Sequence, residues 1–393
     1  MKKTISDFDI NNKKVIIRVD FNVPIKDGVI TDDTRIKASL KTIKYALDNN
    51  AKIILLSHLG KIKENSDLIK NDLYPVSVRL GELLNHNILF SNLTRGEELE
   101  NLAKNLQPKD ILLIQNTRYE DLDGKKESSC NEELSKYWAS LGEIFINDAY
   151  GTSHRAHASN VGISKYLSSG LGFLVEEETK KLDSIMNEDT HPFIVIMGGA
   201  KVSDKIQVIE NLITKCDKLI IGGGMAYTSL KAKEYNIGAS LLDTESIEFC
   251  KKMLQLYSDK IILPIDHVVS NSLDSKETSI KEINDTKDNE MGLDIGPKTI
   301  EIYTNILSNA KRVIINGPMG YFENELYATG TKLLYEFLTT NNIKTLVGGG
   351  DSAASVNKLS DKEKFYHIST GGGATLEYLE GKILPAIDVI EEK

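Results

Sequence analysis

Cysteine is scarce in this chain, and its spacing excludes two common kinds of site. Only three cysteines occur among 393 residues, Cys130, Cys216 and Cys250, and none forms a Cys-x-x-Cys pair. An odd number of widely separated cysteines indicates neither a disulfide framework nor a zinc cage. We therefore expect three free thiols.

Long apolar runs and a surplus of positive charge are also missing. No segment approaches the ~18 uninterrupted apolar residues of a membrane span, and the N-terminal residues lack the apolar stretch of an export signal. The net charge is -9, which argues against broad binding to nucleic acid or a membrane surface. We expect a cytoplasmic protein that binds neither, although a local basic cluster could still bind a small anion.

Arginine is the third scarce residue, with seven copies against 41 lysines. A general preference for lysine explains the shortage, but it does not explain the positions of the arginines. Six of the seven precede residue 200, whereas all three Gly-Gly-Gly triplets follow it, at residues 222–224, 348–350 and 371–373. The two halves of the chain therefore have different chemistry.

Short β-rich apolar runs recur along the chain and alternate with longer segments of helical spacing, such as residues 33–50 and 131–141. This alternation predicts an α/β fold with parallel sheets built from βαβ units. The predicted strands are residues 14–19, 52–57, 111–115, 144–147, 193–197, 218–221, 261–265, 312–316 and 344–347.

The length favours two domains over one core. Residues 170–188 have helical spacing between the halves, so we predict two doubly wound parallel-sheet (Rossmann-like) domains joined by a helix. The predicted bounds are residues 1–170 and 189–383, with 171–188 as the connecting helix and hinge. The polar segment 61–71 is predicted to be a mobile loop.

Ligands of such sheets bind beyond the carboxyl ends of the strands, so the residues after each run carry the most weight. In the first half these include Asp20, Asn22, His58, Arg118 and Arg155, while Arg35 begins a helix. Guanidinium groups bind carboxylate and phosphate in a bidentate manner. Each arginine alone could form an ordinary surface ion pair, but together they indicate a small phosphorylated or carboxylated ligand.

His154 and His157 could suggest a metal, but no carboxylate or cysteine stands at a ligand spacing from them. A hydrogen-bonded turn is the better interpretation of these histidines.

The segment Gly198-Gly-Ala-Lys201-Val-Ser-Asp-Lys205 follows a predicted buried strand. Lysines four residues apart lie on one face of a helical turn, so both ammonium groups would face the strand end. The alternative is a plain strand-to-helix turn with solvated lysines.

Glycine-rich turns after strands allow backbone N–H groups to approach phosphate. Gly348-Gly349-Gly350-Asp351-Ser352-Ala353 fits the dinucleotide pattern G-x-G-x-x-A, but no acidic residue follows near position 370 to bind a ribose. Asp351 would repel a pyrophosphate unless a cation lay between them, and Mg²⁺ bound to one carboxylate and phosphate oxygens satisfies this requirement. No Walker motif occurs. We therefore expect Mg-ATP or Mg-ADP.

These motifs together resemble phosphoglycerate kinase, in order and over essentially the whole chain. They are Arg18-Val-Asp-Phe-Asn-Val-Pro24, Ser57-His-Leu-Gly60, Asn147-Asp-Ala-Tyr-Gly151, His154-Arg-Ala-His157, residues 198–205, Gly222-Gly-Gly-Met-Ala226, Asn316-Gly-Pro-Met-Gly320, residues 348–353 and Ser369-Thr-Gly-Gly-Gly-Ala374.

The resemblance implies a role for each matching residue. The substrate-binding residues would be Asp20, Phe21, Asn22, Arg35, His58, Leu59, Gly60, Lys61, Arg118 and Arg155. The nucleotide-binding residues would be Lys205, Gly292, Asn316, Glu323, Gly349, Gly350, Asp351 and Ser352, with Asp351 also holding Mg²⁺. The catalytic residues would be Arg35, Lys201, Lys205, Gly371, Gly372 and Gly373.

The resemblance also implies that residues 384–393 return to the N-terminal domain. One departure concerns Lys61, where the family commonly has arginine. The single ammonium group of lysine thus replaces a guanidinium group that could bind an anion through two hydrogen bonds. Two smaller departures are Gln115-Asn-Thr-Arg-Tyr119 for the commoner Glu-Asn-Leu-Arg-Phe, and Ser352 for a common threonine.

The implied reaction is reversible phosphoryl transfer between ATP and the carboxylate of 3-phosphoglycerate, giving 1,3-bisphosphoglycerate and ADP in glycolysis. We expect a monomer. Two alternatives remain, a nicotinamide oxidoreductase and a two-lobed protein that binds an anion without chemistry. Binding of Mg-ADP rather than NADH, and a coupled kinase assay, would distinguish the three.

Overall fold

The computed structural model describes all residues, Met1–Lys393, as two compact units. Unit 1 comprises Met1–Lys180 and Ile383–Lys393, and unit 2 comprises Lys181–Lys382. The boundary between them falls within one helix, Phe173–Asn187. Each helix is either too short or too polar to span a bilayer.

Unit 1 is built on a six-stranded parallel sheet with the strand order β5-β6-β4-β1-β7-β8, and a two-stranded hairpin, β2-β3, stands apart from it. The strands are β1 (Lys14–Val19), β2 (Ile25–Lys26), β3 (Val29–Ile30), β4 (Lys52–Leu56), β5 (Ile88–Ser91), β6 (Ile111–Ile114), β7 (Ile144–Asp148) and β8 (Ser168–Leu171). The helices are α1 (Thr34–Asp48), α2 (Ser66–Lys70), α3 (Tyr74–Leu84), α4 (Glu97–Asn105), α5 (Glu132–Ser140) and the first part of α6 (Phe173–Asn187).

The sequence of β1 explains its central place in the sheet. Val15, Ile17 and Val19 enter the main apolar core on one face, and Ile16 and Arg18 are fully buried on the other. A strand buried on both faces needs a nearly continuous apolar run, which is typical of parallel sheets. Helix α1 packs through Ile36, Ile43 and other residues at helical spacing.

Unit 2 contains a second six-stranded parallel sheet, ordered β11-β10-β9-β15-β16-β17, and a three-stranded sheet ordered β13-β12-β14. Its strands are β9 (Phe193–Met197), β10 (Lys218–Ile221), β11 (Ile261–Ile262), β12 (Asp266–Ser270), β13 (Ser279–Glu282), β14 (Met291–Ile295), β15 (Arg312–Asn316), β16 (Lys344–Val347) and β17 (His367–Ile368). Its helices are the rest of α6, α7 (Ile206–Ile213), α8 (Met225–Ala232), α9 (Ile247–Leu256), α10 (Pro297–Leu307), α11 (Thr329–Thr340), α12 (Gly350–Leu359) and α13 (Gly373–Leu379).

The end of the chain belongs to unit 1. A last short helix, α14 (Pro385–Asp388), buries Ala386. The backbone N–H of Lys3 donates to Glu391 (2.8 Å), and that of Lys393 donates to Met1 (2.8 Å). Both ends of the chain are therefore tied together within this unit.

The predicted fold class is confirmed, since both units are parallel-sheet α/β structures and one helix joins them. Some element predictions were wrong. Residues 61–71 contain a short helix, α2, and the strand predicted at 261–265 ends at Ile262, before Pro264. Residues 170 and 171 close β8 rather than begin the connecting helix.

Candidate active site

In unit 1 the loops that follow β1, β4 and β6 are tied to one another at the carboxyl edge of the sheet. The backbone N–H of Phe21 donates to Ser57 Oγ (2.9 Å), and that of Gly60 donates to Asn22 Oδ1 (2.9 Å). The side chain of Asn116 bonds both the N–H and the carbonyl of Leu59. The predicted substrate residues on these three loops are therefore brought together.

Two of the arginines are held over this edge. Arg35 Nη1 lies 3.0 Å from the carboxylate of Asp20. Arg118 Nη1 donates to the carbonyl of Gly60 (2.7 Å), while its buried Nε has no hydrogen-bond partner. Burial and the neighbouring Arg155 lower the pKa of Arg118. An anion placed here would supply the missing acceptor and countercharge.

Arg155 and Lys61 are the exposed cations of the set. Arg155 lies after β7, and its Nε donates to His154 Nε2 (3.0 Å). Lys61 directly follows Gly60, whose φ of +58° places it in the left-handed region. A side chain at position 60 would also collide with Asn71, so glycine is required before Lys61.

His58 is buried next to a fully buried arginine. Its Nδ1 lies 3.3 Å from Arg18 Nη2. Burial, followed by the charges of Arg18 and Arg118, holds the pKa of His58 well below its usual range, so the ring is neutral at physiological pH. A similar environment lowers the pKa of His157 to about 3. No group of three or more histidine, cysteine or acidic side chains is arranged to hold a metal.

In unit 2 the glycine-rich turns after β9, β10 and β15 pack backbone against backbone. The N–H groups of Gly198 and Gly199 donate to Asn316 and Pro318, each at 2.9 Å, and the N–H of Gly223 donates to Met319 (2.9 Å). A Cβ atom at position 198 would lie 2.0 Å from the carbonyl oxygen of Pro318. The backbones of these turns can approach so closely only because the glycine residues at the contacts have no side chains.

Lys205 is held at the end of β15. Its Nζ donates to the carbonyl of Asn316 (3.0 Å) and contacts the Asn316 side-chain oxygen. Burial lowers the pKa of Lys205 to about 8, an effect opposed by the charge of Asp351. The other lysine of this segment, Lys201, is exposed.

The Gly348–Gly350 turn leads directly into α12. Gly349 has a φ of +94°, and a Cβ atom there would lie 3.3 Å from Asn316 Nδ2, which is buried and has no hydrogen-bond partner. Ser352 is buried, and its Oγ accepts from the N–H of Gly317 (2.6 Å). Asp351 is exposed in the first turn of α12, where backbone N–H groups are free to bind an anion.

The remaining predicted residues of unit 2 occupy different environments. Gly292 is buried in β14, where any side chain would collide with Tyr227 and His267. Glu323 is exposed, and its carbonyl accepts from Lys358 Nζ (2.7 Å). Gly371 and Gly372 directly precede α13, which begins at Gly373, and Gly372 has a φ of +51°. Packing therefore explains the glycine at position 292, and backbone conformation explains that at 372.

Sequence reasoning missed Asp294, which organises the segment that carries Glu323. Its carboxylate accepts from the N–H groups of Gly330 (2.7 Å) and Ile295 (2.9 Å). It fills the space that side chains at Gly320 and Gly330 would occupy, and burial raises its pKa to about 7. The glycines at positions 320 and 330 are the traces that this contact leaves in the sequence.

The model of the family described as phosphoglycerate kinase matches residues 5–382. The chain belongs to the phosphoglycerate kinase family. Curated phosphoglycerate kinases from Enterococcus faecalis and Fusobacterium nucleatum are 52% and 51% identical to it, over the full length of both chains. Phosphoglycerate kinase of Coxiella burnetii has a similar structure, with a TM-score of 0.91 and 36% identity over 99% of this chain and 98% of that one. The Pyrococcus horikoshii enzyme aligns with a TM-score of 0.83 and 29% identity, covering 98% of each chain.

As a phosphoglycerate kinase family member, the chain is a phosphotransferase of glycolysis that uses ATP. Its reaction is reversible phosphoryl transfer between ATP and the carboxylate of 3-phosphoglycerate, giving 1,3-bisphosphoglycerate and ADP. The alternatives of a nicotinamide oxidoreductase and of a binding protein without chemistry are therefore wrong.

Proposed function

We propose that the strand-end cluster of unit 1 is the 3-phosphoglycerate site. The observation that carries this proposal is Arg118, a buried cation with an unpartnered Nε beside the exposed Arg155. Bidentate guanidinium groups suit the phosphate and carboxylate of the substrate. The contributing residues are Asp20, Phe21, Asn22, Arg35, His58, Leu59, Gly60, Lys61, Arg118 and Arg155.

The nucleotide is proposed to bind at the glycine-rich edge of unit 2. The unpartnered Nδ2 of Asn316 and the first turn of α12 offer donors to phosphate oxygens, and Lys205 offers positive charge. The proposed residues are Lys205, Gly292, Asn316, Glu323, Gly349, Gly350, Asp351 and Ser352.

Mg²⁺ is proposed to bind at Asp351. The carboxylate is exposed beside these donors, and no group of three or more histidine, cysteine or acidic side chains forms a protein-only site. This donor set suits Mg²⁺, which commonly binds one or two carboxylates together with substrate phosphates. When bound, the ion would neutralise charge on the phosphate oxygens.

The chemistry needs no general base, because the carboxylate of 3-phosphoglycerate is already ionised at neutral pH. Positioning and charge stabilisation carry the catalysis of phosphoryl transfer. Arg35, Lys201 and Lys205 would stabilise charge on the transferring group, and the backbone of Gly371–Gly373 would add oriented N–H donors.

We also propose that the protein acts as a cytoplasmic monomer, with residues 171–188 serving as the hinge between a glycerate-binding and a nucleotide-binding domain. Solution scattering with each ligand alone and with both would test the hinge. A radius of gyration that is unchanged by both ligands together would contradict it.

The substrate assignment is tested by Arg118→Met, with Arg79→Met as the matched control. Arg79 belongs to the same unit but is bound by Asp33 and Glu82. Loss of charge-assisted hydrogen bonds worth about 1.5–3 kcal/mol predicts a roughly 10- to 100-fold higher KM for 3-phosphoglycerate, with the KM for ATP unchanged. The Arg79 variant should keep both constants. An unchanged KM for 3-phosphoglycerate in Arg118→Met would refute the assignment.

A further inference from the structure

Two fully buried charges lie next to the proposed glycerate site, and a serine connects them. Arg18 Nε donates to Ser159 Oγ (2.8 Å), and Ser159 donates through Oγ and through its N–H (2.9 Å) to the carboxylate of Glu127. Because a guanidinium group can only donate, the hydroxyl proton of Ser159 must point to Glu127. The direction of every bond from Arg18 to Glu127 is thus fixed.

The other end of Arg18 reaches His58. Arg18 Nη1 bonds the carbonyl of Val19, and Nη2 lies 3.3 Å from His58 Nδ1. The guanidinium has no lone pair to offer, so His58 Nδ1 must be the acceptor. A neutral imidazole that accepts at Nδ1 carries its proton on Nε2.

The charges around His58 also favour the neutral imidazole. Arg18, Arg118 and Arg35 all lower the pKa of the His58 ring, and none of them supplies negative charge. A second proton on Nδ1 would place an N–H group against the Arg18 guanidinium. The ring therefore keeps one proton, on Nε2.

We propose that Glu127 and Ser159 are positioning residues that, through Arg18, lock His58 as an Nε2–H donor for the anionic substrate. The part of this proposal that concerns the substrate rests on the proposed function of unit 1. The part that concerns the tautomer does not, because it can be measured in the ligand-free protein.

The tautomer is tested by long-range ¹H–¹⁵N NMR of the full-length protein labelled at histidine. The His58 signals are assigned by their loss in His58→Gln. We expect the Nε2–H form in the wild type. In Ser159→Ala we expect His58 to populate the Nδ1–H tautomer or to become protonated within the pH range of the measurement. Arg18→Met, where it folds, should have the same effect on His58. The matched control, Ser77→Ala, removes a buried hydroxyl of the same unit that bonds only the Tyr74 carbonyl, and should leave the signals unchanged. An Nδ1–H tautomer in the wild type, or His58 signals unaltered in Ser159→Ala, would overturn the proposal.

Kinetics test the consequence for substrate. Losing one hydrogen bond worth about 1 kcal/mol predicts a roughly fivefold higher KM for 3-phosphoglycerate in Ser159→Ala. The KM for ATP should not change, whereas a general loss of structure would affect both constants. A changed tautomer with an unchanged KM for 3-phosphoglycerate would refute the positioning role.

Failure of the proposed substrate site would look different. In that case the wild-type His58 signals would show the Nε2–H tautomer but would not shift when 3-phosphoglycerate is added to saturation. That result overturns the claim that His58 donates to substrate and leaves the locked tautomer as a structural property.

Discussion

At the residue scale, the proposed role of Lys205 in nucleotide binding predicts that ADP affinity depends on pH. The Lys205 pKa of about 8 in the free protein lies well below that of an ordinary lysine, because the side chain is partly buried. As the pH rises through 8 the ammonium loses its proton, and a neutral amine cannot stabilise phosphate charge. We predict that ADP affinity falls by up to about tenfold per pH unit above pH 8.

Calorimetric titrations of ADP between pH 6.5 and 9.5 would measure this effect. Lys205→Arg is the control, because arginine stays charged over the whole range. The affinity of Lys205→Arg for ADP should be weaker than that of the wild type but independent of pH. A wild-type affinity that stays constant to pH 9.5 would show that the Lys205 charge does not contribute.

Asp351 is the second residue with a specific expectation. Asp351→Asn keeps the size of the side chain but removes the exposed carboxylate at the start of α12. We predict that ADP affinity loses its dependence on Mg²⁺ and that turnover falls by about 100-fold or more, as when a main electrostatic group is removed. Glu363→Gln changes another exposed carboxylate of unit 2 and should behave as the wild type. Normal turnover of Asp351→Asn at saturating Mg-ATP would contradict the metal assignment.

The sequence could predict the residues at strand ends, because in a parallel sheet these ends share one edge. It could not predict the contacts behind them. Arg18 and Ser159 are 141 residues apart. No local sequence pattern identifies Glu127 as the residue that accepts a hydrogen bond from Ser159. The same holds for Asp294, whose partner Gly330 lies 36 residues away on another element.

At the scale of elements, strands buried on both faces were predicted best. The apolar runs of β1, β9, β10, β15 and β16 were predicted with their observed bounds, because each is continuous and ends at a polar or glycine residue. The edge strands β5, β8 and β17 and the small antiparallel sheet were missed. They are short, and tertiary pairing rather than an apolar run determines their structure.

Helix α6 begins at a buried carboxylate. Asp148 Oδ1 accepts from the N–H groups of Leu174 (2.9 Å) and Val175 (3.5 Å), and burial raises its pKa to about 7. A carboxyl group whose pKa is higher in the folded state stabilises that state at low pH, and this stability is lost as the pH rises through 7. We therefore predict that Asp148 lowers the free energy of unfolding of the wild type as the pH rises from about 4 to 7, and that this contribution levels off above pH 7.

Asp148→Asn cannot ionise, yet it keeps an acceptor oxygen for both N–H groups. Its unfolding free energy should depend less on pH, by up to about 1.4 kcal/mol per pH unit. Asp294→Asn is the comparison in unit 2, where a second buried carboxyl group has a pKa of about 7. Urea unfolding at several pH values would measure both effects. A slope in Asp148→Asn equal to that of the wild type would show that this carboxyl group does not titrate in the range.

At the scale of the whole molecule, unit 1 depends on the last residues of the chain. Asn147 Nδ2 donates to the carbonyl of Ala386 (2.9 Å), and Leu384, Ala386 and Ile390 are buried. Removal of residues 383–393 would expose apolar surface and leave the buried amide of Asn147 without this partner. We predict a loss of about 3 kcal/mol or more, as for other deletions from a core.

The single tryptophan makes this prediction specific to one unit. Trp138 is fully buried in unit 1, so its fluorescence reports the unfolding of that unit. The truncated chain should unfold at lower urea concentration by this probe, while ADP binding persists. Lys393→Ala, which removes only the exposed ion pair of Lys393 with Asp7, should change the midpoint little. An unaltered tryptophan transition in the truncated chain would contradict the prediction.

The tie between the two chain ends also bears on biosynthesis. Domains generally fold in the order in which they leave the ribosome. Here residues 383–393 complete the unit that contains residues 1–180, whereas every residue of unit 2 is translated before residue 383. During translation, therefore, all residues of unit 2 are available before unit 1 is complete, and the N-terminal sheet acquires its final stabilising contacts only after residues 383–393 have left the ribosome.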